Sequence, residues 1–373
     1  MTLLYTEIEE QLRAAVRELL TDKATPGAAD GGELWKVLAR DIGVAGLLIP
    51  EEFGGAGASA REAAVVLEEL GRTVAPVPYL TSAVLATRAL LTAADVTDIA
   101  DLLERLAAGE TTATLAVPFA SSPYRPPLAA RVGGDASESI DRSGAPEAAV
   151  VGSTISGRIA AVAGADMADT LLVPVGAGLA VVSADDPGVT VTPVTSLDTT
   201  RPIATVELSS ASARFIAIDP SALQDTLAFG AGLLASEQLG VAEWCLTSTV
   251  GYLRERTQFA RPVGSFQALK HRLADLWLEI VGARAAARNA ADQLASGWSH
   301  AARVAVAVAQ AHCGAVAVHA AEECVQLHGG IGMTWEHPAH LYLKRAKTSE
   351  IALGTPGDHR EALADLVDLP GPA

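Results

Sequence analysis

The sequence predicts a mainly α-helical protein with a β domain in its middle, and two changes of pattern predict it. Apolar residues recur at steps of three or four up to about residue 110 and again after residue 218, the period of a helix with one buried face. Between these stretches, short β-branched runs alternate with Gly, Pro, Ser and Asp, the mark of strands joined by turns. Three domains are expected: a helical one over 1–110, a β-barrel or sandwich over 111–218 and a helical bundle over 219–373. Half of the 373 residues are hydrophobic but only 4% are aromatic, so packing falls to Ala, Val and Leu. Small side chains let helices approach closely, which suits a bundle.

In chain order, Thr6 with Glu9 reads as a capping box, with Ile8, Leu12, Val16 and Leu19 on one apolar face behind it. A second helix carries Leu34, Trp35, Val37 and Leu38 and leads into I-P-E-E-F-G-G-A-G-A-S, where Gly54, Gly55 and Gly57 permit a tight turn. Ser59 with Glu62 opens a third helix through Leu70, and helical patterns follow over 81–91 and 96–108. Strands are expected at 149–151, 170–174, 179–182, 189–194 and 204–208, with a mobile loop over 118–146. Asp219-Pro220 reads as an N-cap followed by proline at the first helical position. Long helices are expected to end near 249–256 and to span 266–295 and 300–327, with shorter ones at 339–351 and 358–367.

The net charge of −17 argues against nucleic acid or an anionic membrane as partner. An anionic ligand then needs a local basic pocket. Cys245, Cys313 and Cys324 form no C-x-x-C pair and read as small buried apolar residues. The start M-T-L-L-Y-T-E-I-E-E shows no export signal, and a cytoplasmic location is expected. Stretch 301–321 is apolar but interrupted by Arg303, Gln310, His312 and His319, which reads as a core helix rather than a membrane span. His328 is read as having no Cys or second His at ligand spacing, so no metal site is expected. Trp35, Trp244 and Trp277 are assigned to the core.

The candidate site lies at 254–275, R-E-R-T-Q-F-A-R-P-V-G-S-F-Q-A-L-K-H-R-L-A-D. Phe259, Pro262 and Gly264 break the helical pattern there. The corner offers Arg254, Arg256, Gln258, Arg261 and Gln267, donors suited to a phosphate-bearing ligand. Residue types alone read first as a solvated corner between two helices.

This corner resembles that of the acyl-CoA dehydrogenase family, whose usual form is R-x-x-F-G-x-x-I-x-x-F-Q. Q-L-H-G-G-I-G, residues 326–332, resembles the family's second flavin-nucleotide motif, and P-E-E-F-G-G-A-G resembles its N-terminal domain. The order of helical domain, β domain and four-helix bundle matches the family over nearly the whole chain. The resemblance implies FAD as cofactor, an acyl-CoA as substrate and electron-transfer flavoprotein as acceptor. In the family a carboxylate removes the α-proton of the thioester while the β-hydride passes to flavin N5. Carried over by position, Arg256 pairs with the pyrophosphate and Phe259 packs on the adenine. Gln258, Gln267, Gln326, Gly329, Gly330 and Thr355 complete the nucleotide site.

The departures from the family fall together. Its usual base, a Glu directly before Gly-Thr, aligns with Leu353, and the alternative base early in the first long bundle helix aligns with Gly230. The nearest acids are Glu237 and Glu350, each read chiefly as a surface carboxylate or ion-pair member. The family's T-E-P-x-x-G-S-D becomes L-A-V-P-F-A-S-S-P at 115–123, and G-R-I-A-A-V-A at 157–163 lacks the Trp and hydroxyl that flank a flavin ring, although Ala168-Asp169 is retained. What is lost is the half a subunit uses for its own flavin, and what is kept is the half donated to a neighbour. The resemblance therefore implies a heterotetramer with a homologous subunit that supplies the base, similar to enzymes acting on CoA esters of sterol side chains. Two alternatives stand beside it: a self-sufficient homo-oligomer using Glu237 or Glu350, and a non-catalytic scaffold binding a CoA ester or flavin.

Overall fold

The computed structural model describes residues 3–370 apart from 26, 28–30, 126–146, 152, 177 and 220. Most of the expected loop over 118–146 thus lies outside the described residues.

The first domain contains α1 (Glu7–Lys23), α2 (Gly32–Arg40), α3 (Ala60–Thr73), α4 (Thr87–Leu90) and α5 (Ala100–Ala107). Both capping boxes form: the Thr6 and Ser59 N–H groups donate to Glu9 and Glu62 at 2.6 and 2.9 Å. The pattern over 81–91 behaves differently from the expected α-helix. Tyr79–Ala86 winds as a buried π-helix before α4 begins, a geometry often found at functional sites.

The β domain has β1 (Ala113–Leu115), β2 (Glu147–Val151), β3 (Thr154–Ala163), β4 (Thr170–Val175), β5 (Gly178–Ser183), β6 (Val189–Val194), β7 (Ile203–Ser212) and β8 (Arg214–Ala217). They make two four-stranded sheets, β1-β4-β5-β8 and β2-β3-β7-β6. The sheets bury Ile155, Ile159, Leu171, Val173, Ala180 and Val206 between them. β3, paired on both edges, was not among the expected strands. Its T-I-S-G-R-I-A-A-V-A has no run of β-branched residues, and its pairing supplies what its propensity lacks.

The remainder is α6 (Ala222–Glu255), a hairpin of β9 (Thr257–Gln258) and β10 (Arg261–Pro262), α7 (Gln267–Ala295), α8 (His300–His328), α9 (Ala339–Ile351) and α10 (Pro356–Leu366). Ser221, not Asp219, is the N-cap of α6. Asp219 instead accepts from the Ser221 N–H at 2.8 Å in the turn before it; Pro220 lies outside the described residues. α6 lies backbone-to-backbone on α3: a β-carbon on Gly71 would meet the Glu237 carbonyl at 2.1 Å, and one on Gly240 the Glu68 carbonyl at 2.0 Å. Stretch His300–Met333 is long and apolar enough to cross a membrane, but 72% of its apolar window is buried in the protein. Trp35 is buried and Trp244 stacks on Tyr342 at 3.5 Å. Trp277, expected in the core, is exposed on α7 beside exposed Leu278.

Arg345 of α9 ties all three parts. Its guanidinium donates to Asp198 (2.8 Å) and the Thr200 carbonyl (2.8 Å) of the β domain, to Glu237 of α6 (3.1 Å) and to the Ala75 carbonyl beyond α3 (3.4 Å). Burial works against the Asp198 charge, but Arg345 and Thr200 hold its pKa below the usual carboxylate value.

Candidate functional site

α6 ends in a tight hairpin rather than a simple break. Phe259 and Ala260 form its two-residue loop, both left-handed, with φ of 51° and 60°. Such loops favour Asn-Gly because both residues need positive φ; Ala260 stands where the family has glycine, which hides the turn from a sequence reading. At the tip of this turn Phe259 stands out of the protein, 88% exposed, with its ring edge-on to Phe266 at 6.3 Å. Arg261 lies over the Phe266 ring at 3.9 Å. Arg254, Arg256, Gln258 and Gln267 are exposed around the loop. Ser265 Oγ, buried in the following turn, has no hydrogen-bond partner.

The second motif comes to the same place. α8 ends at His328, and Gly329 takes φ 62° and ψ −136°, a conformation open essentially only to glycine. No atom stands within 4 Å of where β-carbons on Gly329 and Gly330 would be, so a ligand can approach this backbone closely. The His328 ring stacks on Tyr252 of α6 at 4.6 Å, and Arg272 of α7 forks onto Glu323 of α8. These contacts bring Gln326, Gly329 and Gly330 to the end of the bundle that carries Arg256 and Phe259. Exposed Ile331, Met333 and Trp335 continue the face. Thr355 is not part of it. Thr355 follows α9, a helix about 20 Å long, and caps α10 through Asp358 at 2.7 Å.

The two family base positions, far apart in sequence, converge. Leu353 is left-handed (φ 54°) and its side chain is fully buried. Its N–H donates to the Phe119 carbonyl at 2.9 Å and its carbonyl accepts from His359 Nε2 at 3.1 Å. His359 Nδ1 in turn accepts from the Tyr124 hydroxyl at 2.9 Å, and burial holds the imidazole down to a pKa of about 4. A β-carbon on Gly230 would lie 3.2 Å from Leu353 Cδ1 and 2.3 Å from Leu85 Cδ2 of the π-helix. The two positions that the resemblance aligns with the family's base are thus neighbours in the fold, and hydrocarbon fills the space between them.

Neither substitute acid is free. Glu237 is buried, with one carboxylate oxygen bound by Arg201 and the other by Arg345. Glu350 is paired with Lys347 at 3.6 Å on α9. A cleft of about 430 Å³ opens between the first turns of α6 and α8 and the length of α10. Asp225, Asp358, Glu361 and Asp365 outnumber Arg125 and Arg303 in its walls, so its charge does not favour a phosphate-rich ligand.

Beneath the glycine turn the cysteines depart from the reading as plain packing residues. Cys324 lies four residues before His328, and its sulfur is 3.6 Å from His328 Nδ1. The same nitrogen is 2.7 Å from the Cys324 carbonyl, which can only accept, so Nδ1 carries a proton. A hydrogen bond with the Cys245 thiol, then contacts with His328 and Thr249, outweigh burial and bring the Cys324 thiol down to a pKa of about 5. Cys313 does behave as a packing residue: burial pushes its thiol up to about 12. Among the described residues no group of three or more His, Cys, Asp or Glu is arranged to hold a metal ion.

Residues 6–110 match the model of the acyl-CoA dehydrogenase N-terminal domain, and residues 221–367 match that of the C-terminal domain. The acyl-CoA dehydrogenase IpdE2 of Mycobacterium tuberculosis is 36% identical over 369 residues, 96% of each chain. The chain belongs to the acyl-CoA dehydrogenase family. Members are FAD-binding oxidoreductases that act on CH–CH bonds. Among solved structures, the ChsE4–ChsE5 complex from Mycobacterium tuberculosis aligns with a TM-score of 0.83 at 28% identity, covering 100% of both chains. A single-residue variant of the Tcur3481–Tcur3483 steroid acyl-CoA dehydrogenase aligns with a TM-score of 0.81 at 31% identity, covering 97% of this chain and 98% of that one.

Proposed function

We propose that this chain is one subunit of a heteromeric acyl-CoA dehydrogenase, and that it lends its flavin-nucleotide corner to a homologous subunit carrying the catalytic carboxylate. One observation carries the reading: Leu353 and Gly230, the two family base positions, meet in a hydrocarbon-filled core. The donated half fits a flavin nucleotide. Arg256 offers a two-pronged donor for a pyrophosphate, exposed Phe259 offers a face for adenine, and the turn at Gly329 and Gly330 admits close backbone approach. The half facing this chain's own ring position does not fit, since Phe119, Leu353, Phe229 and Leu85 are buried there.

When bound, the flavin supplies hydride acceptance from the acyl chain. This chain's residues bind and orient: Arg256, Gln258, Gln267 and Gln326 hold the nucleotide, and the exposed apolar face of Phe259, Ile331, Met333 and Trp335 meets the partner. The acyl-CoA belongs to the partner's half, in keeping with the acidic cleft of this chain. The Tcur3481–Tcur3483 steroid acyl-CoA dehydrogenase supports a steroid-derived acyl group as substrate class, and the family resemblance supports electron-transfer flavoprotein as acceptor. The ion-paired states of Glu237 and Glu350 weigh against a displaced base.

The test is the visible spectrum of the chain purified alone and after co-expression with a homologous dehydrogenase that retains its carboxylate. A colourless chain, and a yellow complex bleached by an acyl-CoA, are expected. Stoichiometric flavin and bleaching in the chain alone would overturn the proposal.

A further inference from the structure

Loop 329–338 carries the two open glycines and exposed Ile331, Met333 and Trp335, and two imidazoles close it at its base. His328 ends α8 and His337 stands two residues before α9. Their ring centroids are 4.1 Å apart. His328 also stacks on Tyr252 of α6 at 4.6 Å, and His337 lies 6.4 Å from Trp244 of the same helix. The pair therefore clasps the loop onto α6. Hydrogen bonds fix where its protons sit. His328 Nδ1 donates to the Cys324 carbonyl at 2.7 Å. His337 Nδ1 accepts from the Ala339 N–H at 3.2 Å, so that nitrogen carries no proton in the clasped state. The bond serves the first turn of α9, where Pro338 at the N-cap makes no side-chain cap bond.

We propose that the His328–His337 pair is a pH-sensitive clasp: a proton taken up from solvent at His337 Nδ1 releases the Ala339 amide, sets a charged ring against His328 and frees loop 329–338 from α6. His337 is half-buried, within reach of a solvent proton. The titratable groups that act on it are His328 and Cys324 of α8 and His340 of α9, with Lys344 beyond His340. From α6, Trp244 faces it and Tyr252 faces His328; Glu336, next in the chain, is exposed. Burial, then the charges of His328 and His340, hold the His337 imidazole below its ordinary value against an opposing pull from the Cys324 sulfur. The unfolded chain thus binds this proton before the folded one. The clasp is complete above about pH 6.5 and opens as pH falls below it. Opening shifts the face that holds Gly329, Gly330 and Trp335. A weaker hold on nucleotide and partner at acid pH then follows on the shared-site reading; the clasp itself does not rest on that reading.

The experiment is amide hydrogen exchange of the whole chain, without any partner, in steps between neutral and mildly acid pH and corrected for the intrinsic rate. Peptides spanning 329–341 are expected to lose protection about five- to tenfold on acidification, the worth of one hydrogen bond. In His337→Asn the asparagine carbonyl accepts from the same amide at every pH, and these peptides keep their protection. Peptides from α7, which follow overall stability, shift alike in both proteins. Wild-type protein whose 329–341 peptides keep their protection, or an equal loss in His337→Asn, overturns the proposal. A second measurement needs no variant: the His337 ring is titrated by NMR in the wild type. A midpoint that coincides with the loss of protection supports the clasp, and one that does not overturns it.

Discussion

Leu353 and Gly230 face each other: Cδ1 of Leu353 stands 3.2 Å from where a β-carbon on Gly230 would be. By the proposed reading each stands at a position from which family members present the catalytic carboxylate, and Leu85 closes the remaining space. Restoring the carboxylate alone therefore does not restore catalysis. Leu353→Glu is expected to place an unpaired acid in a dry core, which costs several kcal/mol or forces its protonation. The variant should show a lowered denaturation midpoint and no acyl-CoA-dependent flavin bleaching. Activity in this single variant would show that the pocket is intact.

His359 gives the Leu353 turn a pH limit. Its pKa is held to about 4 by burial, below the ordinary value near 6.5. A folded-state value below the unfolded one means that the unfolded chain binds the proton first, so stability is full above about pH 6.5 and declines as pH falls toward 4. The decline is expected to reach about 3 kcal/mol. Denaturant unfolding at stepped pH checks it, and His359→Gln should flatten the profile over that window.

Arg345 carries more of the architecture than any surface ion pair. Its loss leaves Asp198 with one fewer cation, and Glu237 with only Arg201, inside the core. Arg345→Met is expected to destabilise by roughly 3–5 kcal/mol, the usual result of stripping one partner from a buried pair. Arg345→Lys should rescue little, because an ammonium lacks the fork that reaches Asp198, Glu237 and Thr200 together. Calorimetric unfolding of both variants separates these outcomes.

The hairpin at Phe259 and Ala260 stores strain that glycine would release. Ala260→Gly is expected to stabilise the chain by about 1 kcal/mol, the cost of a left-handed non-glycine residue, offset slightly by unfolded-state entropy. A rise in the denaturation midpoint confirms it; a fall would mean that the loop relaxes away from φ 60°.

Much of this was legible in the sequence where a local rule and the tertiary structure agree. The capping boxes at Thr6 and Ser59, the long bundle helices and strand Val189–Val194 follow from spacing and residue type. The R-T-Q-F and Q-L-H-G-G segments could be paired by motif. Their adjacency rests on the stacking of Tyr252 on His328, which no spacing rule contains. The misses have physical causes. Central β3 lacks β-branched runs and is held by its neighbours, and the π-helix at Tyr79–Ala86 shares its apolar pattern with an α-helix. The corner between α6 and α7 is a hairpin whose glycine is an alanine. Of the two readings of Glu237, surface carboxylate or ion-pair member, the structure shows the second, and spacing could not name its cations because Arg201 and Arg345 lie far from it in the chain. Trp277 read as core because it sits on a helical pattern, but its face of α7 turns outward.

The most direct test of a lent flavin site is flavin content in the complex when only this chain is changed. Arg256→Ala with Phe259→Ala touches exposed side chains and leaves the partner's carboxylate and ring pocket unaltered. Shared-site geometry predicts that the complex still assembles at the same stoichiometry but loses most of its bound FAD and the corresponding yellow absorbance. A complex that keeps its full flavin with both side chains removed would contradict the account.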